Sequence, residues 1–134
     1  MGRFYWNYEY KPEDHDDGEK TFLGHTGALD GNDIIDIVVK QPATAQFLAR
    51  HMYNFFVADE PQVPSWNITP PNDPEAVQSL VDAYNESGYD VRSMLKVLFT
   101  SDFFKNARFA RVKSPAELVV GTAKTAGNYT GPRP

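Results

Sequence analysis

A short acidic segment near the start of the chain carries the residues best suited to chemistry. His15, Asp16 and Asp17 are consecutive, and Lys20 and His25 follow closely. Carboxylate oxygens and a neutral imidazole are ligands for hard or borderline divalent cations. A cation held there would activate water for the hydrolysis of a glycan or an ester. One hypothesis is therefore a metal-assisted hydrolase with a cation site at His15, Asp16 and Asp17.

The same segment also has the composition of a solvent-exposed turn. In that interpretation Asp16 and Asp17 accept backbone amides and Gly18 adopts a positive φ. A calcium-loop template fails, because Gly24 would occupy the closing position where a bidentate glutamate is needed. We interpret the segment as a turn and expect no cofactor, with the divalent cation as the alternative.

Two other polar groups have structural interpretations. Residues 30–33 read Asp-Gly-Asn-Asp, which is typical of a helix N-cap that satisfies free amide donors. His51 would suit a general base, but no Gly-x-Ser-x-Gly motif marks a nucleophile for it. We therefore expect a half-buried, hydrogen-bonded histidine.

Aromatic residues offer a third kind of site. Tyr5 and Trp66 would present ring faces to a sugar if both were exposed, which is the basis of a carbohydrate-binding alternative. The alternation of residues 4–10 instead predicts a strand whose other face is buried. That face would consist of Phe4, Trp6, Tyr8 and Tyr10.

Composition excludes several classes of protein. The 134 residues suit one domain, and the lack of cysteine excludes disulfides and thiolate sites. With 41% hydrophobic residues and no long apolar run, the chain is neither a disordered tail nor a membrane-spanning protein. Residues 1–36 hold three Lys/Arg against nine Asp/Glu, whereas residues 105–134 hold six against one. The acidic chain lacks a basic stripe and is not expected to bind nucleic acid.

The hydrophobic periodicity predicts a mainly α fold. We expect about five packed helices, a small N-terminal β-hairpin within residues 1–24 and a proline-rich loop over residues 59–72. In the hairpin, residues 21–23 would return antiparallel to the aromatic strand. The helical part would run from residue 33 to 127 and be followed by a frayed tail over residues 128–134. These parts form one domain or the C-terminal fragment of a larger one.

Capping residues place the predicted helices. The first, within residues 33–39, is apolar nearly all round and is expected to be buried, with a strand as the alternative. Pro42 suits the first turn of a second helix that continues to residue 57. Asp73 and Asp90 cap the third and fourth helices, and Gly88 stops the third. Ser114 and Glu117 form a capping box for the fifth, next to Lys113 and Pro115.

Four short segments, in order along the chain, carry a family resemblance. They read KTFLGHTG at residues 20–27, QPATA at 41–45, SGYD at 87–90 and VKSPAELV at 112–119. Together they resemble the family called domain of unknown function 1800, over residues 15–126. Each segment is weak alone, whereas their order is specific.

The resemblance implies a helical fold and a location, but no chemistry. Members of that family are large bacterial proteins, longer than this chain, and often carry an export signal. An exported or periplasmic protein is therefore implied, with this chain as its C-terminal part. The chain lacks the family's long helical N-terminal portion, so a site shared between the two parts would be incomplete.

We therefore predict a non-catalytic structural or docking segment of a larger exported bacterial protein. Its partner would be the remainder of that protein or another protein subunit. Nearly every recognisable residue has a packing or capping role, including Lys113, Ser114, Pro115 and Glu117. The metal-assisted hydrolase and the carbohydrate-binding module remain as alternatives.

Overall fold

The structure, a computed structural model, describes residues 9–127. The chain divides into two units, Met1–Lys40 and Gln41–Pro134. The described residues form six α-helices and one two-stranded antiparallel sheet. The predicted mainly α fold with a small hairpin near the N-terminus is confirmed. Of the predicted strand over residues 4–10, residues 4–8 lie outside the described residues, as does the predicted tail over residues 128–134. Glu9 and Tyr10 are described and are not part of a strand. The predicted burial of Tyr10 is wrong, because this side chain is 52% exposed.

The first unit contains a hairpin that the sequence did not predict in this register. Strand β1 (Lys20–Phe22) pairs antiparallel with β2 (His25–Gly27), and Phe22 lies opposite His25. Leu23 and Gly24 connect the strands with φ of 45° and 83°. Positive φ at both central residues is the signature of a type I′ turn, whose twist matches that of the strands. A single 3₁₀ turn, Pro12–Asp14, precedes the hairpin.

Helix α1 (Gly31–Val39) begins at the predicted cap. Asp30 accepts the amides of Asn32 and Asp33, and the Asp33 carboxylate accepts the Asp30 amide. The strand alternative for this segment is wrong, and so is the expected burial. Only Ile37 is buried in this helix, whereas Ile35 is 61% exposed. Apolar residues all round a helix indicate that it needs a covering surface, but they do not identify that surface.

Five helices make up the described part of the second unit. They are α2 (Pro42–Phe56), α3 (Pro74–Glu86), α4 (Val91–Thr100), α5 (Asp102–Asn106) and α6 (Pro115–Ala126). Helix α3 packs against both α2 and α4. The core lies between these three helices and includes Ala45, Ala49, Tyr53, Val77, Leu80, Val81, Tyr84, Met94 and Leu98.

The predicted caps of α3 and α4 are confirmed. Asp73 accepts the Ala76 amide, and Asp90 accepts the amides of Arg92 and Ser93. Gly88 follows the end of α3 with φ of 74°, which a glycine adopts without a steric penalty. These local signals predicted both helices because each N-terminus needs acceptors for its free amides.

The Asp90 cap gives a prediction for the pH dependence of stability. The Ser93 hydroxyl, followed by the Arg92 amide, lowers the Asp90 pKa below its ordinary value of 3.8. A carboxylate whose pKa is lower in the folded state stabilises the fold above the unfolded-state pKa. That stabilisation is lost as the pH falls from about 3.8 through the folded-state pKa.

Urea unfolding at a series of pH values tests this prediction. In the Asp90→Ser variant the side chain at residue 90 still accepts amides but no longer titrates. We expect its unfolding midpoint to decline less steeply below pH 4 than that of the unmodified protein. Superimposable pH profiles would contradict the assigned role of Asp90.

Candidate functional site

A buried arginine in α2 organises the surroundings of the proline-rich loop. Arg50 donates from Nε to Glu60 Oε2 at 2.7 Å. The side chains of Arg50 and Glu60 are 6% and 0% exposed. Two opposite charges removed from water to this extent hold each other strongly, because little solvent screens them.

The same guanidinium binds three carbonyl groups of the loop. Nη1 donates to the oxygens of Trp66 at 3.3 Å and Thr69 at 2.8 Å, and Nη2 donates to Pro70 at 3.0 Å. The other oxygen of Glu60 accepts the Asn72 amide at 2.9 Å. The loop is therefore irregular, as predicted, yet the side chains of Arg50 and Glu60 hold its backbone in place. A single 3₁₀ turn, Val63–Ser65, interrupts it.

Sequence reasoning missed this arrangement. Arg50 stands three residues before Tyr53 and seven before Val57, both of which are buried, so it lies on the apolar side of α2. An arginine on the apolar side of a helix indicates that an oppositely charged partner is buried with it, and this signal was present in the sequence. The identity of that partner, Glu60, depends on how the loop folds back.

Trp66 and its neighbours line a pocket of about 550 Å³, a volume typical of small-ligand sites. The Trp66 ring lies 4.6 Å from the His51 ring and 5.9 Å from the Phe47 ring, measured between centroids. Its Nε1 donates to the Pro61 carbonyl at 2.7 Å, and the Arg50 guanidinium lies over the ring at 4.8 Å. The pocket offers apolar surface and a charge already neutralised by Glu60.

This pocket can receive an uncharged, partly apolar group. The predicted partial burial of His51 is confirmed, and its ring packs on two aromatic rings. Trp66 is half-buried. Tyr5 lies outside the described residues, so the carbohydrate site that needs both rings stays a prediction.

The acidic segment forms a turn held by its own side chains. His15 Nδ1 lies 2.8 Å from Asp17 Oδ1, and Asp16 Oδ1 accepts the Gly18 amide at 2.9 Å. The Lys20 ammonium donates to the carbonyls of Asp16 and Gly18. The predicted positive φ of Gly18 is wrong. A Cβ at Gly18 would lie 2.9 Å from Asp16 Oδ1, so the Asp16 carboxylate would have to shift to make room for a side chain.

In residues 9–127, no three His, Asp or Glu side chains are grouped so that they could hold a metal ion. Asp16 and Asp17 have different hydrogen-bond partners in the turn, and His25 lies exposed on β2. The cation site at His15, Asp16 and Asp17 stays a prediction that calcium or zinc titration would test.

The segment before α6 contacts an exposed side chain of α2 and the loop that follows α2. The Val112 amide donates to Asp59 Oδ2 at 3.0 Å. The Arg111 guanidinium lies over the Phe55 ring at 4.9 Å and reaches Glu117 Oε1 at 3.6 Å. These contacts hold the start of α6 in a defined position.

The predicted capping box of α6 is confirmed. Ser114 Oγ accepts the Glu117 amide at 3.2 Å, and Glu117 Oε2 accepts the Ser114 amide at 2.8 Å. The Ser114 amide, followed by its hydroxyl, lowers the Glu117 pKa below its ordinary value. Pro115 occupies the first turn, and Lys113 lies exposed beside it.

Helix α6 presents an apolar surface to solvent. Leu118, Val119 and Val120 are 57%, 66% and 53% exposed, and we call these three residues the α6 face. All of α6 is described, and none of its residues is buried. A helix that is apolar around most of its circumference is normally covered by other protein.

A strained aromatic residue lies shortly before this helix. Phe109 has φ of 66° and is 89% exposed. A bulky residue rarely adopts the left-handed region, so the backbone conformation of Phe109 costs free energy. The exposed ring buries almost no surface that could offset this cost. The Arg108 guanidinium lies over its ring at 5.0 Å.

Among the described helices, none combines the length and the apolar character needed to cross a bilayer.

Comparisons with known proteins place the chain in one family. No curated protein and no solved structure matches the chain. The family model described as "Protein of unknown function (DUF1800)" matches residues 4–133, nearly the whole chain. The resemblance found in the four sequence segments is thus confirmed, and the chain belongs to the DUF1800 family.

Proposed function

We propose that this DUF1800 domain is a non-catalytic docking segment and that α6 is the helix that enters its partner. The observation that carries the proposal is the α6 face, three aliphatic side chains on a helix that is wholly described and has no buried residue. Fully burying one such side chain is worth about 1.5 to 3 kcal/mol. Because Leu118, Val119 and Val120 are 53 to 66% exposed, a partner that covers the α6 face would gain a little over half of this stabilisation from each side chain.

The anchoring of α6 supports a role in recognition. The bond from the Val112 amide to Asp59 and the position of Arg111 over Phe55 hold the start of α6 against α2 and the loop that follows it. A helix held in place before binding loses less conformational freedom on association. Exposed and strained, Phe109 adds an aromatic side chain of the kind that anchors protein interfaces.

The partner in this proposal is the remainder of a larger exported bacterial protein or another protein subunit. Export rests on the family resemblance, and cell fractionation of the tagged protein in its host tests it. Recovery in the cytoplasmic fraction would remove that part of the proposal and leave the docking role intact.

A double variant of the α6 face tests the docking role. Leu118→Lys with Val119→Lys is expected to change the free energy of unfolding by no more than about 0.5 kcal/mol per substitution, because neither side chain packs in the described core. The variant should also bind less of a dye that fluoresces on apolar surfaces. Unfolding is followed by circular dichroism and the dye by its emission.

Helix α6 supplies a matched control. Thr122→Lys with Thr125→Lys adds the same two charges to the same helix without removing aliphatic side chains. This control should keep the dye binding of the unmodified protein. If the Leu118 and Val119 variant unfolds while the control stays folded, α6 belongs to the core and the docking proposal is wrong.

A further inference from the structure

We propose that the pocket beside Trp66 binds an uncharged sugar. The described residues that line this pocket come from α2, α3 and the proline-rich loop, so the site is separate from the α6 face. Unlike the carbohydrate site predicted from Tyr5 and Trp66, it needs described residues only. Its charge, its remaining hydrogen-bonding groups and its apolar ring surface each favour a sugar.

The charge of the pocket favours a neutral ligand. Of the described residues that line it, only Arg50 is charged. The Arg50 guanidinium already pairs with the Glu60 carboxylate at 2.7 Å, and the two side chains are 6% and 0% exposed. An anion that entered would find no unpaired positive charge, so it would lose its hydration without compensation.

The hydrogen-bonding groups that remain in the pocket both donate and accept. The Nε1–H of Trp66 and most N–H groups of Arg50 already donate to a carboxylate and to loop carbonyls. Among the described residues, the side chains of Gln46, Asn67 and Thr69 in the lining have no hydrogen-bond partner. A side-chain amide or hydroxyl offers both a donor and an acceptor. Ligand hydroxyls have the same double capacity and therefore match these groups.

Aromatic and aliphatic side chains supply the wall on which a sugar ring would pack. Phe47 is 50% exposed, and its ring meets the Trp66 ring at a steep angle, with 5.9 Å between the centroids. Ile68 and Pro70 extend this apolar lining. A pyranose carries C–H groups on its ring faces and hydroxyls at its edge, so it covers apolar surface while its hydroxyls reach polar groups. The volume of about 550 Å³ suits a mono- or disaccharide.

The wall of the pocket is in place without a ligand. Arg50 holds the carbonyls of Trp66, Thr69 and Pro70, and Trp66 Nε1 donates to the Pro61 carbonyl at 2.7 Å. A site whose groups are already fixed loses less conformational freedom when a ligand binds. The buried ion pair thus fixes the binding surface as well as the loop.

A proline-rich peptide is the main competitor, because such peptides dock in aromatic-lined grooves. A peptide of this kind offers carbonyl acceptors and few donors, so it needs N–H donors from the groove. The strongest N–H donors of this pocket are already used within the chain. The groups that remain favour hydroxyls over the peptide.

Saturation-transfer NMR on the full chain at neutral pH tests the proposal. The probes are glucose, maltose, cellobiose, glucuronic acid and a polyproline peptide. We expect transfer to at least one neutral sugar, and weaker binding of glucuronic acid than of glucose. Phe47→Ala should weaken the binding of that neutral sugar about tenfold, and Gln46→Ala about fivefold.

Helix α2 supplies a matched control. Phe55 is 57% exposed on the same helix and does not line the pocket, so Phe55→Ala should leave sugar binding unchanged. All three substituted side chains are exposed, and circular dichroism checks that each variant is folded.

The absence of transfer to every neutral sugar would overturn the proposal. Sugar binding that survives both pocket substitutions, or that Phe55→Ala weakens equally, would also overturn it. Transfer to the polyproline peptide alone would assign the pocket to a peptide, and tighter binding of glucuronic acid than of glucose would contradict the neutral site. The docking role of α6 is tested on other residues and does not depend on these outcomes.

Discussion

Replacing Glu60 with glutamine is expected to lower the free energy of unfolding by about 3 to 5 kcal/mol. The carboxylate accepts Arg50 Nε at 2.7 Å and has no exposed side-chain surface. Glutamine has nearly the same shape, so the loss arises from leaving the guanidinium buried without a countercharge. A buried unpaired charge is among the costliest defects in a protein interior.

Urea unfolding at neutral pH measures this loss, and Glu86→Gln is the matched control. Glu86 is exposed on the last turn of α3, so the same chemical change there should cost no more than about 0.5 kcal/mol. A loss under about 1 kcal/mol at Glu60 would mean that water screens the pair and that the loop does not depend on it.

Replacing Leu80 with alanine is expected to cost about 2 to 5 kcal/mol. Leu80 is fully buried near the middle of α3, the helix that packs against both α2 and α4. The truncation removes apolar contacts and leaves a cavity that three packed helices close only in part. The range reflects how far the surrounding side chains relax into the space.

Leu118→Ala provides the same substitution on the α6 face. Because Leu118 is more than half exposed and alanine favours helices, we expect a change within about 0.5 kcal/mol. Thermal or urea unfolding of the two variants in one buffer gives the comparison. Equal losses at Leu80 and Leu118 would contradict the distinction between a core helix and an uncovered one.

The parts of the fold that were predictable depend on local chemistry. Asp73, Asp90 and Ser114 each precede a helix, and each accepts the amides that a helix N-terminus leaves free. Such signals need only a few neighbouring residues. Helix α5 was missed although Ser101 caps it, because five residues are too few to show a periodic pattern.

The parts that were not predictable depend on contacts distant in sequence. Arg50 and Glu60 are ten residues apart across the end of a helix and the start of an irregular loop, and no spacing rule joins them. The turn at Leu23 and Gly24 lacks the Asn-Gly or Asp-Gly pair typical of its conformation. The pattern showed that α1 is apolar, but its exposure depends on the surrounding surface.

The candidate sites also divide into features that follow from local residue types and features that depend on distant contacts. The polar turn at Asp16 and Gly18 follows from residue type, since the short side chain of an aspartate readily accepts the backbone amide two residues ahead. The α6 face was visible in the sequence as apolar residues after a capping box. Its lack of burial was not visible, because the periodicity of a helix is the same whether the core or a partner covers it.

The free energy of unfolding of the Leu118→Lys, Val119→Lys variant, relative to the unmodified protein, tests the central claim most directly. The docking role predicts a folded variant whose stability differs by no more than about 1 kcal/mol and whose apolar dye signal is reduced. A loss of several kcal/mol would show that α6 is part of the core and would contradict the claim.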